Sequence, residues 1–291
     1  MAVVPPWVRH DGSRPRAIVL GSGDRPHVSE QVARLQPFLE THLELVLIDL
    51  QYQVPLEQLQ ADLVIVFGGD GSILRAAKQL GERQIPVLGV NLGRLGFLAD
   101  LQPDEFLRVL PAVCAGHCTI LDHLMLICTV SRNGQVSHQE LGLNEASILA
   151  APPFSMLYLD LYVDGELATT YSCDGLILST PVGSTAHNLS AGGPIIRKNL
   201  PAFVISPINP HTLTVRPVVD SADRVFEILV RQPQHQAMVL VDGRMICELT
   251  EMDRVCVQRA KPTFQLIEVE GHNYYRTLRE KLGWGGNLPN R

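Results

Sequence analysis

Nine residues constrain this chain more than any others. In Val64-Ile65-Val66-Phe67-Gly68-Gly69-Asp70-Gly71-Ser72 an apolar strand runs straight into a glycine-rich turn, and a helix is expected from about Ser72. Glycines let the backbone approach a phosphate, and a helix N-terminus offers free N–H groups and the positive end of its dipole. The loop Gly68, Gly69, Gly71 and Ser72 therefore reads as a phosphate loop, with Ser72 as the expected helix cap. Asp70 is out of character there. A carboxylate repels phosphate unless it serves a cation or accepts a proton. Arg75, one helical turn on, is suited to neutralising phosphate charge. No Walker A sequence is present, which removes the P-loop NTPases.

Around this loop the first third of the chain alternates strand and helix signals. Apolar runs at 17–20, 45–50, 63–67 and 87–90 read as strands. Val32, Leu35, Leu39 and Leu43 share one helical face, as do Ile73, Leu74, Ala77 and Leu80, and a further helix is expected over 103–113. Such alternation predicts a parallel sheet covered by helices. From about residue 116 the pattern changes to short Val/Ile/Leu/Thr-rich runs separated by Asn133-Gly134, Asp164-Gly165 and Asp242-Gly243. Those dipeptides tolerate the positive φ of two-residue hairpins, so an antiparallel β domain is expected. The predicted organisation is a disordered lead-in over 1–15, an α/β phosphate-loop domain over 16–115, and a β-sandwich over 116–265. A tail over 266–291, helical at 274–282, returns to the first domain.

Three further clusters carry polar chemistry. Gly89-Val90-Asn91-Leu92-Gly93-Arg94-Leu95-Gly96-Phe97 follows the fourth strand and so shares the carboxyl edge of the sheet with the first loop, where open α/β sheets bind ligands. Phe97 is a candidate face for an adenine ring. Gly142-Leu143-Asn144-Glu145 sets an amide beside a carboxylate. The stretch from Asp174 to Pro194 packs Ser179, Thr180, Ser184, Thr185 and Ser190 among glycines, a density of short donors suited to sugar hydroxyls and phosphates.

Composition removes several classes. A net charge of -6 argues against a general nucleic-acid binder, and the apolar runs are strand-sized, too short to span a bilayer. The first 16 residues lack the apolar core of a secretory signal. Six scattered cysteines do not follow zinc-site spacing and read as reduced thiols, so a cytoplasmic protein is expected.

Together the clusters resemble the NAD kinase family, in which a GGDG[TS] loop, an N-E/D pair and a DG-x4-TP-x-GSTA-x-x-LSAGGP segment occur in this order. The resemblance extends to Pro210-His211-Thr212-Leu213, Arg216-Pro217, Asp242-Gly243-Arg244 and Arg279-Glu280-Lys281-Leu282-Gly283-Trp284. It implies an α/β domain followed by a β-sandwich, with the site in the cleft between them. It implies an enzyme that moves the terminal phosphoryl group of ATP, or of another donor, to the 2'-hydroxyl of the adenosine ribose of NAD. Mg²⁺ or another divalent metal would arrive on the donor, and no protein metal ligand is assigned. Asp70 corresponds to the catalytic proton acceptor. Asn144 and Glu145 correspond to the pair on the dinucleotide's ribose and base, and Asp174 to the acid near the nicotinamide. Thr185, Ala186, His187, Asn188 and Ser190 correspond to the adenosine side, with Gly71, Arg75 and Phe97 completing the NAD contacts. His187 departs from the family, which often has Tyr there. Family members usually form homodimers or homotetramers. The alternatives are a lipid or sugar-phosphate kinase sharing the GGDG loop, or a non-catalytic dinucleotide-binding module.

Overall fold

The computed structural model describes residues 5, 7–8, 12–93, 96–152, 156–231, 237–250, 253–271 and 274–283. His123–Thr263 forms one compact unit, and the chain on either side of it forms the other.

The first unit is an α/β layer structure. Strands β1 (Arg16–Gly21), β2 (Glu44–Asp49), β3 (Leu63–Phe67) and β4 (Val87–Val90) pair in parallel in the order β2-β1-β3-β4. Beyond β4, Leu266 pairs in parallel with Val87, so chain from beyond the second unit extends this sheet. All five residues of β3 are buried, as expected of a parallel strand covered on both faces. The intervening helices are α1 (Pro26–His42), α2 (Asp70–Leu80) and α3 (Pro103–Cys114). α2 buries Ile73, Ala76, Ala77 and Leu80 along one stripe, and α3 buries Phe106, Leu110 and Val113. The edge-to-face pair Phe67–Phe106, 5.7 Å between ring centres, joins β3 to α3. Leu278 of the C-terminal helix Tyr274–Leu282 is also buried.

One expectation is corrected at the N-terminus. Within the stretch read as a disordered lead-in, Trp7 is 1% exposed and donates its indole N–H to the Val113 carbonyl at 2.9 Å. A large apolar ring with a donor that can meet a carbonyl at the end of α3 gains more by docking than its short leader loses in freedom. Residues 1–4, 6 and 9–11 of that stretch lie outside the described residues.

The second unit is all β. Its strands are β5 (Thr119–Arg132), β6 (Gln135–Gly142), β7 (Glu145–Ala150), β8 (Leu157–Val163), β9 (Glu166–Cys173) and β10 (Gly175–Ser179). They continue as β11 (Ala202–Ile208), β12 (Val218–Ser221), β13 (Phe226–Val230), β14 (Ala237–Val241), β15 (Arg244–Leu249) and β16 (Arg254–Glu268), the last of which belongs to the first unit from Phe264 on. One antiparallel sheet runs β12-β11-β10-β7-β14-β15. In the other layer β13 pairs with β16 and β8, β8 with β9, and β5 with β6, all antiparallel. The inner faces share one apolar cluster, and the edge-to-face pair Phe203–Phe226 bridges β11 and β13. The three hairpin dipeptides behave as their chemistry demands. Asn133, Asp164 and Asp242 have φ of 51°, 49° and 49°, and the glycine after each is also left-handed. All six cysteines are free thiols.

Candidate functional site

The order β2-β1-β3-β4 reverses direction between β1 and β3, so the carboxyl ends of those strands flank the crevice where such sheets bind ligands. Ser22 follows β1, and its hydroxyl lies 3.4 Å from that of Ser72. The helix after β3 begins at Asp70, with Gly69 as its N-cap, so Ser72 is a buried first-turn residue and not the cap expected from the sequence. The reason lies in Gly68. Its φ of 148° turns the backbone tightly enough to start the helix early, and a Cβ there would collide with the Ser72 side chain.

Asp70 is not repelled by the loop it sits in, because the segment after β4 is folded onto it. Phe97 N–H donates to Oδ2 at 2.8 Å, and Leu98 and Ala99 N–H donate to Oδ1 at 2.9 and 3.1 Å. Gly96 makes this approach possible, since a Cβ there would strike the Asp70 carboxylate. Asn91, fully buried, braces the same segment by donating to the Ala99 carbonyl at 2.9 Å and accepting from Gly93 N–H at 2.7 Å. The sequence reading passed over Asn91, although a lone amide among glycines is the signal of a loop brace. Phe97 is half-buried, and the Lys281 ammonium lies 5.0 Å from its ring centre. Arg94 and Leu95 lie outside the described residues, as does Trp284.

A second feature missed in the sequence is the corner after β2. Buried Asp49 accepts N–H bonds from Gln51, Gln53 and Val54, each at 2.9 Å, and an amide bond from Gln79 of α2. Burial pushes its carboxyl up, but these four donors together outweigh burial and hold it below the ordinary range. The corner sets Tyr52 at φ 57°, with its hydroxyl donating to the Ser72 carbonyl at 3.1 Å. The Arg75 guanidinium lies over the Tyr52 ring, 5.5 Å from its centre. Arg75 is exposed and forms no salt bridge among the described residues.

In the second unit the hairpin residue Asp242 organises the Asn144–Glu145 pair. Its carboxylate accepts N–H from Leu143 at 2.8 Å, Asn144 at 2.7 Å and Glu145 at 3.1 Å. Gly183 packs against the Asn144 carbonyl with no room for a Cβ, which joins this pair to the hydroxyl-rich segment. Glu145 is 2% exposed. One oxygen lies 2.9 Å from His187 Nδ1, and Oε2 has no hydrogen-bond partner among the described residues. Burial raises the Glu145 carboxyl to about 7; His187 opposes the rise and Asp242 adds to it.

Alternation along β7 sets Glu145, Ser147 and Leu149 on one face. Ser147 and Leu149 line a cavity of about 400 Å³ with Ile177, His187, Ser190, Ala191, Ile208, Asn209 and Pro210. Asp174 stands near its rim, accepting from Asn209 at 2.9 Å with His211 at 3.8 Å. His187 has a side chain 67% exposed and does not enter the β core.

The hydroxyl-rich segment divides in two. Ser179, Thr180 and Ser184 are fully buried and donate to backbone carbonyls, Thr180 to Leu143 at 2.6 Å and Ser184 to Pro181 at 2.7 Å. Thr185 bonds the Val182 carbonyl at 3.2 Å. Asn188, also fully buried, spans the Ser184 and Pro194 carbonyls and accepts from Ser206. The expectation that hydroxyl density meant ligand donors is thus corrected for Ser179, Thr180 and Ser184, whose hydroxyls satisfy carbonyls a tight turn leaves unpaired. Ser190 is exposed at the cavity, and Ala186 caps the short helix that begins at His187.

A phosphate-type loop carrying a held carboxylate, with an acid-edged cavity in a β-sandwich, is the make-up of a kinase for a nucleotide substrate. Residues 23–118 match the ATP-NAD kinase N-terminal domain and 143–269 the ATP-NAD kinase C-terminal domain. A NAD kinase of Rhodopirellula baltica is 55% identical over 96% of this chain and 90% of its own. A NAD kinase of Pseudomonas putida is 38% identical over 94% and 97%. Among solved structures, an NAD kinase from Archaeoglobus fulgidus in complex with ATP aligns with a TM-score of 0.70 and 28% identity over 92% of this chain and 97% of its own. Yeast NADH kinase complexed with NADH shares the fold, with a TM-score of 0.86 at 22% identity over 96% and 90%. The chain belongs to the ATP-NAD kinase family.

Proposed function

We propose that this NAD kinase uses Asp70 as proton acceptor for the 2'-hydroxyl of the adenosine ribose of NAD, with ATP as phosphoryl donor. The observation that carries the assignment is the grip of three backbone N–H groups on the Asp70 carboxylate at the head of the glycine loop. A ribose hydroxyl is a poor nucleophile, and phosphoryl transfer depends chiefly on in-line positioning and charge stabilisation. The hydroxyl oxygen forms a bond to the terminal phosphorus as the bond to the ADP oxygen breaks, and the hydroxyl proton passes to Asp70. Residues 68–72 and the N-terminal turn of α2 supply N–H groups for phosphate oxygens.

For the dinucleotide, the reading assigns Asn144 and Glu145 to ribose and base, Asp174 to the nicotinamide end, and residues 185–190 to the adenosine side, with the fully buried Asn188 bracing that turn and not touching the ligand. Its support is the Glu145 oxygen left unpartnered among the described residues and the exposure of His187 and Ser190 at the 400 Å³ cavity. Phe97 and Gly71 complete the set. A divalent metal, Mg²⁺ first, would be carried on the donor phosphates and would offset their charge. Phosphate and water oxygens suit Mg²⁺, and the reading assigns the ion no protein ligand. We assign the enzyme to the cytoplasm as a homodimer or homotetramer, a reading supported by the free thiols and by Leu213, Val218 and Val219 exposed on the sandwich. Among the described residues no helix is long and apolar enough to cross a membrane.

Purified protein with NAD, ATP and Mg²⁺ is expected to form NADP, and chelation to stop it. Folded protein that forms none with any nucleotide or polyphosphate donor overturns the reading.

A further inference from the structure

Phosphoryl transfer needs positive charge near the phosphates, yet residues 68–72 carry a carboxylate and no cation. The nearest cation along the chain is Arg75, and a flexible arginine at an exposed position loses considerable side-chain freedom when it binds. The structure holds this one in advance. The β2 corner spends four hydrogen bonds on Asp49 to keep its turn, and the turn forces Tyr52 into the left-handed region, costly for a residue with a Cβ. The ring so placed lies under the Arg75 guanidinium, while the hydroxyl is bonded to the first turn of α2 through the Ser72 carbonyl. Burial lifts the Tyr52 hydroxyl to about 12, so it stays a donor at every working pH. The same turn of α2 faces the β1–β3 switch point through the Ser22–Ser72 contact.

We propose that Tyr52 is a positioning residue that presents the Arg75 guanidinium to a phosphate chain bound at residues 68–72. The inference rests on reading that loop as the phosphate site of the kinase. The chain concerned is the triphosphate of the donor or the pyrophosphate of NAD, which share the same charged oxygens. Arg75 makes the contact and Tyr52 acts through it, so their effects belong to one unit.

A double-mutant cycle tests this by steady-state kinetics with ATP and NAD varied in turn. Arg75→Met is expected to raise one KM about tenfold, the low end for a lost charge-assisted bond. Tyr52→Leu is expected to raise the same KM about threefold to fivefold through loss of the cation–ring contact and the Ser72 tether. Tyr52→Phe, which keeps the ring, should recover most of that. The double variant should match Arg75→Met within about twofold, where independent effects would multiply to about thirty- to fiftyfold. A rise in KM for ATP assigns the donor, and a rise in KM for NAD assigns the dinucleotide. Multiplying effects, or unchanged KM values in Tyr52→Leu whose melting temperature matches wild type, overturn the inference. If Tyr52→Leu melts early, the Phe variant decides, since Tyr52→Phe as impaired as Tyr52→Leu also overturns it. NADP formation by wild type in the same series keeps failure of the kinase reading distinct from failure of this one.

Discussion

Asp70 in the α/β unit and Asp242 in the sandwich are held alike, and the proposed function gives them different work. Each carboxylate accepts N–H bonds from three consecutive residues, 97–99 for Asp70 and 143–145 for Asp242. Their surroundings differ. Asp242 is a half-buried hairpin residue whose desolvation pushes its carboxyl above the ordinary range, against the pull of its three donors. Asp70, also half-buried, sits at a helix N-terminus beside glycines. On the function proposed above, the same three-donor cradle braces a hairpin at Asp242 and orients a base at Asp70.

The comparison predicts a split between chemistry and stability. Asp70→Asn is expected to lower kcat by about 10²–10⁴-fold, the range for general-base catalysis, and Asp242→Asn by less than about tenfold. Equal losses in the two variants break the comparison. Stability should order them the other way. Asp242→Ala strands three N–H groups whose acceptor is this one carboxylate and is expected to cost about 3 kcal/mol by urea unfolding, against about 1 kcal/mol for Asp70→Ala, where Asn91 also braces the donating segment. A smaller loss for Asp242→Ala than for Asp70→Ala would contradict the brace.

Glu145 sharpens the contrast, as a buried acid with one oxygen unpartnered among the described residues. Its folded value of about 7 lies above the ordinary 4.5, so the folded chain binds this proton more tightly than the unfolded one. The contribution to stability is full below about 4.5 and is lost as pH rises toward 7. Relative to Glu145→Gln, the wild type should therefore lose stability between about pH 5 and pH 7.5 in paired urea melts. Parallel pH profiles would sink this. The smallest effect is at the partner of Glu145. His187→Ala should weaken NAD binding by about 0.5–1.5 kcal/mol, and His187→Tyr should keep most of the contact, both read by calorimetric titration. Equal affinity in wild type and His187→Ala would retire the contact.

Local rules made much of this legible. The β3 run into Gly68, the three hairpin dipeptides and the buried face of Val32, Leu35, Leu39 and Leu43 are set by neighbours in sequence, and they formed as expected, whereas on α2 Ala76 is buried where Leu74 was expected. What escaped depends on partners far along the chain. Nothing near Trp7 announces the Val113 carbonyl, and nothing near Asp242 announces residues 143–145. Tyr52 reads as an ordinary turn aromatic until Arg75 and Ser72 are brought to it. The hydroxyls of residues 179–184 misled for the opposite reason. Short donors suit a sugar and an unpaired carbonyl equally, and only burial tells the two apart.

The central claim is that Asp70 acts on the proton and not on binding. The most direct measurement pairs the equilibrium Kd for NAD with the single-turnover rate of NADP formation at saturating ATP, in wild type and Asp70→Asn. The account predicts Kd within about threefold of wild type and a transfer rate lower by about 10²–10⁴-fold. A near-normal rate, or a loss wholly accounted for by weaker NAD binding, would contradict it.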